Sequence, residues 1–502
     1  MPDYPIGSQI PDSPHAMCVS LPDMHAVIGY EEKDPVVMKA VQSGYPRFVT
    51  HRYILKLVEH FKQELDLEDF DIFLVNSVQA LASLSAYVDC SNSSTGSMHG
   101  VFYYICPQRD DLRKRAFQLM QHTGYGISSR LAERILNQLG LLENSALFEE
   151  ERLDGDSYSA VSNAVAALAN TEADKVVLTN SGMNAFYAAF KAAEATQARE
   201  GKHVWIQLGW LYLDTNKVLE RLSSTDTRFI TCYDVDARDT LDAVLEKYGK
   251  RVAGIITETP TNPLVQTVNI QYLRKVCDNV GALLILDPTI ASLSNVDVSQ
   301  YADIIVTSLT KYAGNQGDVI MGALTSGIER PWSEFWLEDA KEFVEPPHFT
   351  DCGRMAAQIS DWQSTSEKIN ANTRQLAEFL NKHKAVSRVF WAESLDYLSQ
   401  FKKIRKPEGG PGSILTLYLK RPENMDAFYA ALSIAKGPSF GTTFTMACPF
   451  MYLAHYDLVS NEEGRDYTWS HGLDPDLIRV SVGAEPISEI IEAFEKALSA
   501  AL

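Results

Sequence analysis

Six short apolar runs that alternate with helical stretches constrain the fold of this 502-residue chain more than any other feature. They span residues 175–180, 203–208, 228–233, 252–258, 282–287 and 303–309. Because the runs are apolar almost throughout, they predict strands buried on both faces, as in a parallel sheet covered by helices. Ligands of such sheets bind beyond the carboxyl ends of the strands. The sequence therefore predicts a doubly wound α/β domain with a binding site at that edge.

The flanking regions predict further parts. Residues 1–25 are rich in Pro, Ser and Asp and predict an arm or a disordered lead, and residues 90–97 predict a polar loop between two strands. After the sixth run, residues 319–325 predict one antiparallel strand, residues 353–383 a long helix, and the remainder a smaller α+β domain. We expect three parts: an N-terminal extension and arm (1–145), a ligand-binding domain (146–375) and a C-terminal domain (376–502).

Charge and composition narrow the function classes. A formal charge of −20 and a pI near 5.0 disfavour nucleic acids and anionic membranes as partners, and favour small molecules. No apolar run reaches the roughly 18 residues that span a bilayer, and the N-terminus lacks the pattern of a signal peptide. We therefore expect a cytoplasmic protein. The seven cysteines are scattered without metal-ligand spacing, so we expect reduced thiols and no metal site.

Three strand ends carry residues with chemical potential. Ser181-Gly182-Met183 lies between a strand and an Ala-rich helix, which suits a phosphate but also an ordinary helix cap. Asp287 ends a strand just before Pro288. It is either an ordinary turn residue or a carboxylate that keeps a proton on a heteroaromatic nitrogen. Lys311 follows the last run, either as a solvated lysine or as an amine that forms an imine.

In this chain order, the three elements match the needs of pyridoxal 5′-phosphate (PLP): an anion site, a partner for the pyridine nitrogen and a Schiff-base lysine. The hydroxyls of Ser308 and Thr310 offer further hydrogen bonds to the phosphate. An aromatic side chain is expected to stack on the ring, and Trp210 and Tyr212 are the candidates.

Five motifs together resemble the Cys/Met-metabolism family of PLP enzymes. They are Ser181-Gly-Met183, Glu258-Thr-Pro-Thr-Asn262-Pro263, Leu286-Asp287, Ser308-Leu-Thr-Lys311-Tyr and Leu477-Ile-Arg479-Val-Ser-Val-Gly483. The N-terminal part is similar to the extended fungal cystathionine γ-synthase branch. The resemblance implies the aspartate-aminotransferase-like fold (fold type I), with a mostly parallel seven-stranded sheet, a smaller C-terminal α+β domain and an extended N-terminal region.

The resemblance also implies a role for each matching residue. Lys311 would form the Schiff base and move protons, and Asp287 would face the pyridine nitrogen. Ser181, Gly182, Met183, Ser308 and Thr310 would bind the phosphate. Asn262 would lie near the ring oxygen, and Arg479, with Ser439 beside it, would bind the substrate carboxylate through its planar fork.

Two departures from the family pattern affect these expectations. Compact members carry a Tyr-Ser-Arg segment that reaches the phosphate of the neighbouring subunit, and the stretch aligned with it here is His122-Thr-Gly124. Tyr125 and Arg130 are the nearby substitutes. Phe444 stands where many synthases have an acidic residue, which favours a nucleophile less polar than cysteine.

The resemblance predicts γ-substitution on an O-acyl-L-homoserine, with the O-acetyl ester favoured, through a vinylglycine-type intermediate as in cystathionine γ-synthase. Alternatives are a carbon nucleophile or sulfide in specialised metabolism, a γ- or β-lyase, and a catalytically silent interaction protein. Amino-acid substrates and a homodimer or homotetramer with shared active sites are also expected.

Overall fold

The computed structural model describes residues 4–45, 48–143, 150–236 and 238–502. At its centre lies a sheet with seven described strands, in the order β6-β12-β11-β10-β9-β7-β8. Only β12 runs antiparallel to its neighbours, which confirms the predicted sheet and its antiparallel strand. The strands are β6 (Val176–Thr179), β7 (Val204–Leu208), β8 (Arg228–Cys232), β9 (Val252–Glu258), β10 (Leu283–Asp287), β11 (Ile304–Ser308) and β12 (Gly322–Ser326).

Helices cover both faces of this sheet and bury two large apolar clusters against it. The helices of this region are α7 (Ser157–Ala169), α8 (Gly182–Arg199), α9 (Leu213–Arg221), α10 (Arg238–Tyr248), α11 (Ile270–Val280), α12 (Ser333–Lys341), α13 (Phe349–Ile359) and α14 (Trp362–Lys382). The predicted helical stretch over 353–383 is confirmed, and a break at Ser360 and Asp361 divides it into α13 and α14.

The C-terminal part is an α+β layer, as predicted. Its described strands form the order β13-β14-β17-β16-β15. They are β13 (Val386–Trp391), β14 (Ile414–Leu419), β15 (Ala435–Lys436), β16 (Met446–Pro449) and β17 (Ile478–Ser481). The helices are α15 (Leu398–Ile404), α16 (Met425–Ala431), α17 (Phe450–Ala454), α18 (Tyr456–Val459), α19 (Glu462–Ser470) and α20 (Ile487–Ala500). The expected boundary at 375/376 falls within α14 and stays a prediction.

The first part of the chain is ordered and buried, so the expectation of a disordered lead is wrong for its described residues. It contains β1 (Gln9–Ile10), β2 (Cys18–Val19), α1 (Met24–Glu31) and α2 (Pro35–Ala40). Val19, Leu21 and Met24 pack into the core of the C-terminal part. Two hydrogen bonds to the Leu21 backbone fix this contact. The Leu21 N–H donates to the Lys436 carbonyl, and the Tyr429 hydroxyl donates to the Leu21 carbonyl.

Residues 52–138 form a separate layer, which we call the N-terminal module. It contains α3 (Arg52–Leu65), β3 (Phe70–Val75), α4 (Val78–Val88), β4 (Ser94–Met98), β5 (Val101–Pro107), α5 (Asp110–Thr123) and α6 (Ser129–Gln138). Its described strands pair antiparallel in the order β3-β5-β4, so the polar loop predicted over 90–97 is partly a strand. The expected boundary at 145/146 lies outside the described residues.

Neither a membrane-spanning helix nor a metal cluster is found among the described residues. No helix in the described part of the chain has the length and apolar composition to cross a bilayer. No group of three or more possible metal ligands occurs there either. All seven cysteines are free thiols.

Candidate active site

The carboxyl ends of the parallel strands bring most of the predicted site residues together. Asp287 ends β10, Ser308 ends β11, and Ser181 and Tyr212 follow β6 and β7. Lys311 comes three residues after β11, at the start of a short helical turn. Arg479 reaches the same edge from β17 of the C-terminal sheet. The site therefore lies between the central sheet and the C-terminal part.

Lys311 is held between a hydroxyl and two aromatic rings. Its Nζ donates to Ser439 Oγ at 3.2 Å. The same nitrogen lies 4.9 Å from the ring centres of both Tyr45 and Phe440. Aromatic faces attract the ammonium form of a lysine, so these rings orient the amine toward the strand ends.

Asp287 is half-buried and stands beside a buried carboxyl, Glu258. Asp287 Oδ1 accepts hydrogen bonds from the Thr289 N–H at 2.9 Å and hydroxyl at 2.5 Å, and no described residue donates to its Oδ2. Desolvation of the carboxyl raises the pKa of Asp287 to about 6, although Thr289 opposes the shift. An oxygen left open on a half-buried carboxyl suits a partner that carries its own proton, such as a pyridinium nitrogen.

The phosphate cradle, Ser181 to Met183, begins α8. The Ser181 side chain accepts from Asn184 N–H at 3.2 Å, so the N–H groups of Gly182 and Met183 remain at the positive end of the helix. A Cβ on Gly182 would lie 2.7 Å from Ser308 Cβ, so Ser308 closes the cradle from β11. Thr310 lies nearby, but its hydroxyl exchanges hydrogen bonds with the Met321 backbone.

Arg479 is a buried guanidinium that forms no ion pair with any carboxylate of the described residues. It donates to Asn262 Oδ1 at 3.2 Å, to the Pro438 carbonyl at 2.7 Å and to the Ser439 carbonyl at 3.3 Å. A buried cation without a protein anion suits an anionic ligand. Because Ser439 also binds Lys311 through its hydroxyl, one residue sets the spacing between the amine and the guanidinium.

The two stacking candidates differ in their surroundings. Trp210 packs on Tyr233, with ring centres 4.3 Å apart, and donates from its indole to the His471 carbonyl. The Tyr212 backbone lies at the end of β9, because its N–H donates to Glu258 Oε1 at 2.5 Å. The Trp210 ring packs in an apolar cluster with Leu264 and Phe450, and the Tyr212 side chain packs against a cluster of the central sheet. Stacking of either ring on the cofactor stays a prediction.

Tyr125 and Arg130 are not brought to Lys311. The Tyr125 side chain is fully buried, with its ring 5.8 Å from that of Tyr187. Arg130 is equally buried and donates to Glu150 at 2.8 Å and to Asp351 at 3.3 Å. Its guanidinium lines a cavity of about 510 Å³ between the N-terminal module and the cradle. A phosphate contact from either residue stays a prediction.

Sequence reasoning missed Tyr45 and the role of Glu258. Tyr45-Pro46-Arg47 has the Tyr-x-Arg spacing that we sought at residues 122–124, and this spacing was the signal available in the sequence. Pro46 and Arg47 lie outside the described residues, but Tyr45 contacts Lys311. In the sequence, Glu258 is one member of the 258–263 motif, whereas in the structure it lies opposite Asp287 at the strand ends.

The described residues fit PLP. The cradle offers N–H donors that suit a phosphate, Asp287 has an open oxygen that suits a ring nitrogen, and Lys311 is an amine just after the end of β11. Phe444, in contrast, packs against an apolar cluster of Ile10, Cys18 and Met446.

Comparisons with known proteins agree with this geometry. The family model described as "Cys/Met metabolism PLP-dependent enzyme" matches residues 108–499. The chain is 37% identical over 495 residues to the L-2-amino-4-chloropent-4-enoate dechlorinase/desaturase of Streptantibioticus cattleyicolor. This match covers 98% of each protein. It is 25% identical to the cystathionine gamma-synthase of Neurospora crassa, covering 100% of this chain and 99% of that protein.

Among solved structures, the cystathionine gamma synthase of Xanthomonas oryzae pv. oryzae has a TM-score of 0.59 at 19% identity. The match covers 69% of this chain and 86% of that chain, which confirms the predicted fold. Full coverage by the fungal relative and partial coverage by the solved bacterial structure confirm the predicted likeness to the extended fungal branch.

Proposed function

Because the chain belongs to the Cys/Met metabolism family of PLP-dependent enzymes, we propose that it removes a leaving group from the γ-carbon of an L-α-amino acid. The favoured substrate class is a 4-chloro-4-enoic amino acid, and the favoured reaction is elimination of chloride. γ-Replacement on an O-acyl-L-homoserine, with O-acetyl-L-homoserine as the favoured donor, is the second candidate.

The observation that carries this proposal is the apolar lining between the amine and the guanidinium. The Phe440 ring centre lies 4.9 Å from Lys311 Nζ and 5.3 Å from Arg479 Cζ. Phe450 covers the other side of Arg479 at 4.8 Å. Replacement by cysteine requires polar groups for a second amino acid, whereas elimination requires space for an uncharged side chain only. The name of the 37% identical relative supports a chlorinated substrate of this kind.

The residues of the chain divide the work of the reaction. Arg479 holds the substrate carboxylate through two parallel hydrogen bonds. Lys311, kept 3.2 Å from Ser439 Oγ, takes the proton from the α-carbon and then moves a proton at the β-carbon. Asp287 holds a proton on the ring nitrogen of the cofactor. Bound PLP supplies the electron sink that makes loss of the α-proton feasible.

The overall elimination balances without a redox partner. A C–H bond at the β-carbon and the C–Cl bond at the γ-carbon break, and one proton and one chloride leave. The electron pair of the broken C–H bond forms the new unsaturation between these carbons. The aromatic lining around Lys311 limits the entry of water and of charged nucleophiles, which favours elimination over replacement.

The second candidate has its own support in the 25% identity to a cystathionine gamma-synthase over both full lengths. Cysteine, sulfide or an enolate would then add at the γ-carbon. A γ- or β-lyase reaction on the same donor would instead release ammonia and a keto acid. A homodimer or homotetramer with shared sites, and a cytoplasmic location, remain proposals, and light scattering tests the first.

Parallel assays with three sets of substrates test the proposal. The holoenzyme receives L-2-amino-4-chloropent-4-enoate, O-acetyl-L-homoserine alone, or O-acetyl-L-homoserine with cysteine. Chloride, ammonia and amino-acid products are quantified in each assay. We expect one chloride per substrate consumed, and kcat/KM at least about 10-fold above that for O-acetyl-L-homoserine. Lys311→Ala should abolish turnover and the near-visible absorbance. Faster formation of cystathionine than of chloride would overturn the proposal in favour of the second candidate.

A further inference from the structure

Glu258 is a buried carboxyl that touches two loops of the active site. It ends β9, directly beside β10, and the two strands are paired with Glu258 opposite Asp287. In a parallel pair, side chains in register point to the same face, and the strands are about 4.8 Å apart. The two carboxyl groups therefore emerge side by side at the edge where the cofactor binds.

Both oxygens of Glu258 bind backbone N–H groups. Oε1 accepts from Tyr212 at 2.5 Å, and Oε2 accepts from Asn262 at 3.2 Å. Tyr212 stands in the loop after β7 and Asn262 in the loop after β9. One side chain thus fastens two loops that have no strand hydrogen bonds of their own at these positions.

The contact with Asn262 extends to the substrate site. Asn262 Oδ1 accepts from Arg479 Nη1 at 3.2 Å, so the position of the Asn262 backbone determines where this amide meets the guanidinium. The sequence of contacts runs from Glu258 through Asn262 to Arg479. Movement of Glu258 would weaken one of the three contacts that hold the Arg479 guanidinium, which is the proposed carboxylate site.

The charge state of Glu258 follows from its surroundings. It is 6% exposed, and no lysine, arginine or histidine of the described residues forms an ion pair with it. Burial, and then the Asp287 carboxylate, raise the pKa of Glu258 to about 8, while the two N–H donors and the charge of Arg479 oppose the shift. Two adjacent desolvated carboxyls are poorly tolerated as two charges.

We propose that Glu258 is a positioning residue: in its neutral form it clamps the loops of Tyr212 and Asn262, and it leaves Asp287 as the charged carboxylate of the pair. The negative charge is then confined to the group that faces the ring nitrogen. The clamp also holds Asn262 against Arg479. The inference rests on the proposed role of Arg479 in substrate binding and is independent of which leaving group the substrate carries.

The test compares Glu258→Gln with Glu258→Asp in the holoenzyme. The amide of Gln is neutral and nearly isosteric, but its NH₂ faces the Asn262 N–H, so one contact is lost. We expect the pH midpoint of the near-visible absorbance to stay within about 0.3 units of wild type. We expect KM for the amino acid to rise about 10-fold, with kcat within about 3-fold. The shorter Asp variant should show the same rise in KM.

Two outcomes overturn the inference. A shift of the absorbance midpoint by about one unit or more in Glu258→Gln would mean that Glu258 is charged in the working enzyme. Unchanged KM in both variants would mean that the clamp does not exist. Cofactor affinity of the apoprotein, titrated by absorbance, is the third readout, and Glu258→Gln should leave it within about 3-fold of wild type.

Controls separate this role from general stability and from the proposed function. Glu194→Gln changes another buried carboxyl, which binds Lys191 and Thr227 away from the site, and should leave KM unchanged. If Glu258→Gln fails to fold, Glu258→Asp provides the test, because its shorter side chain cannot reach both N–H groups and an unchanged KM would overturn the clamp. An unchanged KM in Arg479→Lys would instead refute the carboxylate site, whatever Glu258 does.

Discussion

Gly182→Ala tests whether the cradle and β11 must touch for the cofactor to bind. A Cβ at this position would lie 2.7 Å from Ser308 Cβ, 3.0 Å from its Oγ and 3.1 Å from its Cα. The first of these distances is shorter than real Cβ contacts, so either α8 or β11 has to shift. Overpacking of this kind costs about 1–3 kcal/mol.

The cost should fall on cofactor binding more than on folding. In the apoprotein, the start of α8 can move away from Ser308 and relieve the contact. If the phosphate binds the N–H groups of Gly182 and Met183 and the Ser308 hydroxyl at the same time, as proposed, the strain returns on binding. A penalty of about 1–3 kcal/mol corresponds to about 5- to 150-fold weaker affinity.

The assay is an absorbance titration of the apoprotein with PLP, together with thermal unfolding of the apoprotein. Gly126→Ala is the matched control, since its nearest neighbour would be the flexible Met120 Cε at 3.4 Å. Because Ser308→Gly removes the two closest contacts, Gly182→Ala should weaken affinity less in a Ser308→Gly background than in the wild-type background. Wild-type affinity in Gly182→Ala would refute the reasoning.

Three further predictions follow from the same geometry. Arg479→Lys should raise KM for the amino acid about 10- to 150-fold in steady-state assays, because an ammonium cannot replace the bidentate fork, and a change in kcat alone would contradict this. Tyr45→Ala should lower kcat/KM about 10-fold, because it removes the ring that lies 4.9 Å from Lys311 Nζ. Tyr45→Phe keeps this ring and should lower kcat/KM less than about 3-fold. Equal effects of the two variants would show that the ring is not the cause. Burial raises the pKa of Glu345 to about 7 from 4.5, so the stability it contributes is full below pH 4.5 and is lost as pH rises through about 7. Glu345→Gln should therefore raise the thermal midpoint of the apoprotein more at pH 8 than at pH 5, and an equal gain at both would exclude ionisation as the cause.

Local sequence pattern predicted the parts of the site that stand at strand ends. The apolar runs located β9, β10 and β11 to within a residue or two, and their polarity change marked Asp287 and Lys311. Such residues are visible in sequence because burial of a parallel strand forces an apolar run to stop where solvent or a ligand begins. Arg479 required the family resemblance, since a single arginine within a short apolar strand has no local signature that distinguishes a ligand site.

Residues that reach the site through long-range contacts could not be predicted in the same way. Tyr45 belongs to a segment with no strand or helix of its own, and its position beside Lys311 depends on packing by distant parts of the chain. The short strands β1 and β2 are two residues each, too short for a periodicity to show. Glu258 was hidden for another reason: its importance depends on the register between β9 and β10, which sequence alone does not specify.

The docking of the first residues on the C-terminal sheet has a consequence for how this protein is made. The Tyr429 hydroxyl bonds to Leu21, 408 residues earlier in the chain, and Lys436 Nζ donates to the Pro22 carbonyl across 414 residues. The segment of residues 19–24 therefore has no docking surface until residues 429–436 have been synthesised. At a synthesis rate of about 5–20 residues per second, the apolar side chains of this segment stay exposed to solvent for tens of seconds. Premature termination before α16 would release a chain that contains Lys311 but lacks the partners of residues 19–24, a species that chaperones and proteases would be expected to recognise.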